Sequence, residues 1–272
     1  MNVSKILTSS FIFIALLCTI GCSVRGDEKG DEKADEKGDE KGNDFVPLFD
    51  GTSLQGWVIP EKSIPHWKVV NGIMENDGIS RESGSLIWTE REDYKDFILK
   101  VDWRLPGEPS ETMAPLYDYN GDRLIDEHGK PVRKKGWFAG DSGIFLRGVR
   151  FKKDVAENES NRFTDAHFNI WTNPMGSGEN HGYMVNKKMP PEVRRGAIPM
   201  KNADNPLGEW NTFVITLNGE HVTVVLNGET IIDMNMPELP ETGAIGLQQH
   251  APGKDAVRPY PIQFRNIFMK EL

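Results

Sequence analysis

The sequence predicts an all-β domain in which two antiparallel sheets pack face to face. Three observations support this fold class: many short runs rich in β-branched residues, Asn-Gly turn signals between them, and no window of a dozen residues with helical periodicity. Strands and helices do not alternate along the chain, so a parallel doubly wound sheet is excluded. A two-sheet sandwich is therefore the expected architecture.

The clearest strands form a meander in the C-terminal third of the chain. Three runs of alternating character, Thr212–Leu217, His221–Leu226 and Thr230–Met234, are joined by Asn218-Gly219 and Asn227-Gly228. Asn-Gly readily supplies the positive φ angles of a type I′ turn, so each pair predicts a tight hairpin. Seven further strands are predicted at Trp67–Val70, Ser85–Trp88, Phe97–Arg104, Gly143–Arg147, His167–Trp171, Gly243–Gln248 and Ile262–Met269.

Two long stretches lack strand character. Glu108–Phe138 is rich in Pro, Gly and charged residues, and Asn173–Gly208 contains several prolines. Long irregular segments in a compact domain are usually functional or disordered. We therefore expect both stretches to border the functional site. Outside them, Asn71-Gly72 predicts another tight turn.

The first 21 residues predict export. Lys5 precedes a short apolar run, the pattern of a secretory signal peptide. Gly21-Cys22 resembles the lipobox of bacterial lipoproteins, which implies a lipid on Cys22 and attachment to a membrane of the cell envelope, facing the periplasm or the cell surface. An uncleaved membrane anchor is the alternative, but a span needs about 20 apolar residues and this run is shorter.

Residues 22–44 predict an acidic, low-complexity tether. Asp-Glu-Lys-Gly repeats from Asp27 to Gly42, with no apolar residue larger than Ala, so the repeats cannot bury a core. They indicate a solvated spacer that holds the domain of residues 45–272 away from the membrane. That domain has no cysteine, which excludes disulfides and Cys-ligated metals. A net charge of −9 argues against a nucleic-acid partner.

The domain also contains an ordered series of short motifs. Phe45-Val-Pro-Leu-Phe-Asp-Gly51 opens it, Gly140-Asp-Ser-Gly-Ile-Phe-Leu-Arg147 lies in the middle, and Gly243-Ala-Ile-Gly-Leu-Gln248 is followed by His250. In order and spacing the motifs resemble the family of 3-keto-disaccharide hydrolase domains over Phe45–Leu272. The resemblance implies a concanavalin-like jelly-roll sandwich, a bacterial cell-envelope setting, and action on carbohydrates oxidised at C3.

Alternation along the strands selects the candidate site residues. Successive side chains of a strand point to opposite faces, so each strand has a core set and an outward set. Four strands carry polar or aromatic residues in the outward set, and these converge if the strands share one sheet. The candidate catalytic residues are His250, His167, Arg147 and Asp141. The candidate substrate-binding residues are Asp102, Arg104, Asn169, Trp171 and Gln248, with Trp137 and Tyr183 from the two long stretches.

The implied substrate sets the chemistry that these residues must perform. A ketone at C3 acidifies the C2 proton, so a base removes that proton, the enolate is stabilised, and the glycosidic oxygen on C1 leaves. His250 or His167 is the candidate base, and Arg147 or a bound cation is the candidate stabiliser of the enolate. Asp141 or Asp102 is expected to orient a histidine or to bind the cation.

Two other kinds of enzyme or module fit the same residues. A conventional glycoside hydrolase would use two carboxylates, for which Asp102 and Asp141 are the candidates. A carbohydrate-binding module would need Trp171 and hydrogen-bonding groups but no proton-transfer residue. A protein-interaction domain is a third reading, which a large apolar surface patch would support. For the glycoside hydrolase and for the carbohydrate-binding module, the partner is a carbohydrate.

The metal requirement stays open at this point. The stretch from Asp118 to Glu127 resembles part of a calcium loop, but it lacks the glycine at the sixth position and the glutamate at the twelfth. An ordinary Asn-Gly hairpin is the favoured interpretation, with a divalent cation such as calcium as the alternative. Motifs for a nucleophilic serine, a dinucleotide, a P-loop or a His-Glu-x-x-His zinc site are absent from the sequence.

Overall fold

The computed structural model describes residues 44–79, 85–118, 120, 122–149, 166–172, 175–250 and 258–272. The predicted signal, Cys22 and the repeats of the tether lie outside these residues. Residues 44–272 cluster as one unit. In the described part of that unit, no helix is long and apolar enough to cross a membrane.

The described residues contain fifteen strands and two short helices. Strands β1 to β15 are Val46–Pro47, Trp57–Val58, Trp67–Val70, Ile73–Asn76, Ser85–Thr89, Phe97–Arg104, Ser110–Pro115, Arg133–Phe138, Asp141–Gly148, Ala166–Trp171, Asn211–Asn218, His221–Leu226, Glu229–Asn235, Ala244–Gln249 and Ile262–Glu271. Helices α1 and α2 are His181–Val185 and Pro191–Gly196, and a 3₁₀ turn spans Glu61–His66.

The strands form two main antiparallel sheets. The large sheet has the order β13-β12-β11-β6-β15-β4-β3, with β1 also paired to β15, and the small sheet has the order β10-β9-β14-β5-β2. Buried side chains fill the space between them, such as Leu99 and Phe213 from the large sheet and Ile144, Phe168 and Leu247 from the small one. The predicted all-β class and its two antiparallel sheets are confirmed.

The hairpin turns follow the sequence signals at two of the three Asn-Gly pairs that the structure describes, and Gly121 of the fourth pair, Asn120-Gly121, lies outside the described residues. Asn71-Gly72 and Asn227-Gly228 both have positive φ at each residue, as a type I′ turn requires. The prediction for Asn218-Gly219 is wrong, because Asn218 pairs with His221 and the two-residue loop is Gly219-Glu220. There only Gly219 has a positive φ, which is the pattern of a type II′ turn.

The prediction that Glu108–Phe138 lacks strands is also wrong. Strands β7 and β8 pair from Ser110 with Phe138 to Pro115 with Arg133, and they form a separate two-stranded sheet. Strand β8 is largely exposed, so it needs no alternation of apolar residues and gives no such signal in the sequence. In Asn173–Gly208 the described residues contain the two short helices and no strand, as predicted.

Candidate functional site

The outer face of the small sheet carries three rows of residues that cross β10, β9 and β14. Each row joins Cα partners on neighbouring strands, and His250 extends one row by a backbone hydrogen bond just beyond β14. The rows are Trp171, Asp141 and His250; Asn169, Gly143 and Gln248; and His167, Phe145 and Gly246. His250 follows β14 directly, and its backbone N–H donates to the Asp141 carbonyl at 3.0 Å.

Asp141 and His250 form an acid–base pair at one end of this face. His250 Nδ1 lies 3.9 Å from Asp141 Oδ2, and the histidine side chain is 55% exposed where the aspartate is 25% exposed. Burial raises the pKa of Asp141 to about 6; the nearby His250 lowers it, and the Glu179 carboxylate raises it further. The pair therefore joins a carboxyl that titrates near neutral pH to an imidazole that a ligand can reach.

Glu179 and His181 complete this cluster, and no periodic pattern in the sequence predicts either of them. The segment before α1 adds to the edge of the small sheet: Asn169 N–H donates to the Glu179 carbonyl at 2.9 Å, and Gly178 N–H donates to the Asn169 carbonyl at 2.7 Å. The buried Glu179 side chain accepts a bond from Asn169 Nδ2 at 3.2 Å and lies 3.2 Å from His181 Nδ1. The available signal was the glycine-rich Gly176–His181 stretch inside a proline-rich loop.

His167 lies flat against the sheet. Its ring stacks on Phe145, with centroids 3.9 Å apart and planes inclined by 8°, and its Nε2 is 3.2 Å from Gln248 Oε1. A Cβ on Gly143 would come within 2.3 Å of the same Nε2, so the ring needs a glycine beneath it. These contacts suit ligand positioning better than proton abstraction, because the ring is held between Phe145 and Gln248.

A cleft of about 460 Å³ opens beside Trp171. Strand β8, the end of β10 and the loop of residues 202–209 line it, and they bring Trp137 and Asp204 to the same space as Trp171. Trp137 is 53% exposed. Both long stretches therefore border this cleft, and the cleft offers aromatic faces and a carboxyl group of the kind that bind sugar rings.

Arg147 lies outside this cluster, and the expectation that it shares the outer face is wrong. Its guanidinium is 2% exposed and donates to the carbonyls of Lys95 at 2.6 Å and Gly219 at 2.7 Å, and to Asp96 Oδ1 at 2.9 Å. The physical reason is a β-bulge opposite Ala244–Gly246, at which Arg147 takes a φ of 49°. The alternation of side chains along β9 is broken at this bulge, so the Arg147 side chain points into the end of the sandwich and not onto the outer face.

Asp102 and Arg104 belong to the other sheet, so the expectation that they join the site is also wrong. Strand β6 lies in the large sheet. Asp102 is buried and accepts bonds from Thr212 Oγ1 at 2.7 Å and Asn266 Nδ2 at 2.8 Å. The Arg104 guanidinium lies 4.6 Å from the centroid of the Trp210 ring. The carboxylate pair of Asp102 and Asp141 that a conventional glycoside hydrolase would use is thereby separated onto two sheets.

Tyr183 is a core residue and does not line the cleft. It lies in α1, is fully buried, and donates its hydroxyl to the Pro237 carbonyl at 2.8 Å. Its prediction as a substrate-binding residue is therefore wrong. The remaining candidates, Asn169, Trp171, Gln248 and Trp137, lie on the outer face or in the cleft.

The acidic stretch near Asp118 forms turns. Asp118 Oδ1 accepts from the backbone N–H groups of Asn120 and Asp122, each at 2.8 Å. Asp122 pairs with Arg194 Nη2 at 2.9 Å and with Lys187. Among the described residues, no group of three or more His, Cys, Asp or Glu side chains is arranged to hold a metal ion.

Comparison with known proteins agrees with this fold. The family model described as the 3-keto-alpha-glucoside-1,2-lyase-like domain matches residues 44–270. A solved structure from Parabacteroides distasonis ATCC 8503, assigned as a glycosyl hydrolase, has 16% identity and a TM-score of 0.50, covering 84% of this chain and 94% of that one. SCLam, a non-specific endo-β-1,3(4)-glucanase from family GH16, has 9% identity and a TM-score of 0.49, with 85% and 93% covered. No curated protein matches the chain.

The likeness to the structure from Parabacteroides distasonis bears on the fold alone, because the identity is 16%. The concanavalin-like jelly-roll sandwich expected from the sequence is confirmed.

Proposed function

Because the chain belongs to the 3-keto-alpha-glucoside-1,2-lyase-like domain family, we propose that it cleaves glycosidic bonds of sugars oxidised at C3, by elimination across C2 and C1. The observation that carries this proposal is the acid–base cluster on the outer face of the small sheet, at the edge of an open cleft. In that cluster His250, Glu179 and His181 each lie close enough to Asp141 to influence its pKa.

The cluster supplies the base that the reaction needs. His250 is assigned to remove the C2 proton, because it is the exposed member of its pair. Asp141 is assigned to orient the imidazole and to stabilise the imidazolium that forms, as a carboxylate partner does for a general-base histidine. This choice between the two histidines follows from exposure, since His167 is stacked on Phe145.

The same cluster offers a side chain that can stabilise the enolate. Arg147 cannot perform this function from its buried position. His181 is assigned to it instead, because its side chain is 41% exposed and its Nδ1 lies 3.2 Å from the Glu179 carboxylate. A ring N–H beside the developing C3 oxyanion stabilises the transition state by donating a hydrogen bond.

The proposal predicts that the protein releases the alcohol or phenol from a 3-keto-glucoside and leaves the unoxidised glucoside intact. His250→Ala should lose about 10²–10⁴ in rate if His250 is the general base. The hydrogen on C2 of the substrate should be lost to solvent, and the eliminated product should carry none there. The rates are measured as alcohol release, and the loss of the C2 hydrogen is followed by NMR.

The matched control is His221→Ala. His221 is on β12 of the large sheet, exposed, and paired with Asp233 at 2.8 Å, so its removal should leave turnover unchanged. Equal cleavage of oxidised and unoxidised substrates would contradict the elimination. Tight sugar binding without turnover of either substrate would identify a carbohydrate-binding module, the function that the exposed Trp137 and the cleft favour in second place.

A further inference from the structure

The cleft contains a carboxyl group that the steps above do not use. Asp204 lines it together with Trp137 and Trp171. Its two carboxylate oxygens lie 3.0 and 3.2 Å from the backbone nitrogen of Ser177, which donates to them. A half-buried carboxyl held by one backbone N–H and facing an open cleft can still exchange a proton with a ligand there.

Ser177 also fixes where this carboxyl lies relative to the acid–base cluster. Its hydroxyl donates to the Trp171 carbonyl at 3.2 Å, and Trp171 is the Cα partner of Asp141 in the β10–β9 ladder. One short series of contacts therefore runs from Asp204 through Ser177 and Trp171 to Asp141. The cleft that Asp204 lines therefore adjoins the acid–base cluster at Trp171.

We propose that Asp204 is the general acid that protonates the leaving oxygen, an inference that rests on the proposed elimination. As the C1–O bond breaks, its electron pair stays on the oxygen, and the proton moves from the Asp204 carboxylic acid to that oxygen. The C1–C2 double bond forms from the electrons of the enolate, and the C3 ketone is restored. Asp204 is left as a carboxylate and regains its proton from solvent.

The electrostatic setting of Asp204 is consistent with an acid. Burial raises its pKa to about 6, with the Ser177 hydrogen bonds acting in the opposite direction. The other charged groups that face the cleft are Lys134 and Lys135 of β8 and Glu209 of the same loop. Lys135 is paired with Glu111 at 2.6 Å. None of these groups contributes to the raised pKa of Asp204, so burial sets the proton affinity of its carboxyl group.

The test compares two 3-keto-glucosides that differ only in the leaving group, methanol or 4-nitrophenol. A poor leaving group needs a proton and a good one does not, so Asp204→Asn should lose about 10²-fold or more in kcat for the methyl substrate. The loss for the nitrophenyl substrate should be much smaller. In the wild type, kcat for the methyl substrate should fall as the pH rises above about 6, and this fall should be absent from the nitrophenyl profile.

The matched control is Asp233→Asn, which changes an exposed aspartate on β13 away from the cleft and should leave both rates unchanged. Equal losses for the two leaving groups, or no loss for either, would overturn the assignment of Asp204 while the proposed function stands. No turnover of either substrate by the wild type would overturn the proposed function itself. Should Asp204→Asn not fold, the leaving-group dependence of the wild-type pH profile decides, and identical profiles would overturn the inference.

Discussion

Replacing Arg147 by methionine distinguishes a structural residue from a catalytic one. The guanidinium is buried and donates four hydrogen bonds: to the carbonyls of Lys95, Gly219 and Pro240, and to the Asp96 carboxylate. Methionine fills much of the same volume and donates none of them. The substitution therefore leaves three carbonyls and one carboxylate without their donor at the end of the sandwich.

The expected cost follows from those four bonds. A neutral hydrogen bond contributes about 1 kcal/mol net, and a bond to a charged group contributes about 1.5–3 kcal/mol. Asp96 keeps the Gly219 backbone N–H as a donor and is 25% exposed, so part of the loss is recovered by hydration. The free energy of unfolding should fall by about 3–5 kcal/mol, as for other buried pairs that lose one partner. In a domain of this size each kcal/mol lowers the melting temperature by about 2–4 °C.

The assay is urea unfolding followed by tryptophan fluorescence, with turnover measured on the folded protein. Arg91→Met is the matched control, because Arg91 is likewise paired with acidic side chains, those of Asp93 and Glu271, but is 43% exposed. Exposed pairs contribute about 0–1 kcal/mol, so this variant should unfold near the wild-type midpoint. A variant of Arg147 with normal stability and a hundredfold loss of turnover would refute the structural role and restore the catalytic one.

Two further predictions concern the floor of the site and the N-terminus. Gly143→Ala should displace His167, because the ring Nε2 would lie 2.3 Å from the new Cβ. The value of kcat/KM should fall by up to about 10²-fold, and an unchanged value would show that the ring position does not affect turnover. We propose that Cys22 carries a lipid that attaches the protein to a membrane of the cell envelope. Cys22→Ser should then move the protein from the membrane fraction to the soluble fraction. Continued membrane attachment of this variant would contradict a lipid anchor at Cys22.

Alternation correctly predicted the outward-facing residues at the centre of the candidate site, because the core residues fix the phase of each strand. Ile144 of β9 and Leu247 of β14 are fully buried, which forces Asp141, Gly143 and Gln248 onto the opposite face. This inference is local: it needs only the apolar residues of one strand. It does not depend on knowing the neighbouring strands, so it succeeds wherever the strand is regular.

The errors come from information that a single strand does not contain. The bulge at Arg147 shifts the alternation of side chains along β9 by one residue, and no glycine or proline at that position predicts it. Asp102 has the expected phase, but pairing of β6 with β11 and β15 places it in the large sheet, and that pairing is set by residues far along the chain. Glu179 comes from a loop, where side-chain direction has no period, so its contact with Asn169 could not be predicted.

The middle motif of the chain has a physical explanation in the floor of this site. An antiparallel sheet can leave one face to water, and outward side chains would then stand away from it. Here Gly143 leaves space for the His167 ring, and Gly148 and Gly246 leave space for Trp88, whose ring atoms would lie 2.3 and 2.7 Å from an added Cβ. The rings therefore lie against the backbone, and Phe145 packs between them, 3.9 Å from His167 and 5.7 Å from Trp88 by ring centroids.

A floor of flat rings has a consequence for the proposed function. Because the rings lie against the backbone, a sugar ring has room above them beside Asp141 and His250, which lie two rows away. Glycine at these positions is thus required by the packing of the rings. A larger residue at any of the three would lift a ring out of the floor before it disturbed the core between the sheets, because all three glycines face away from that core.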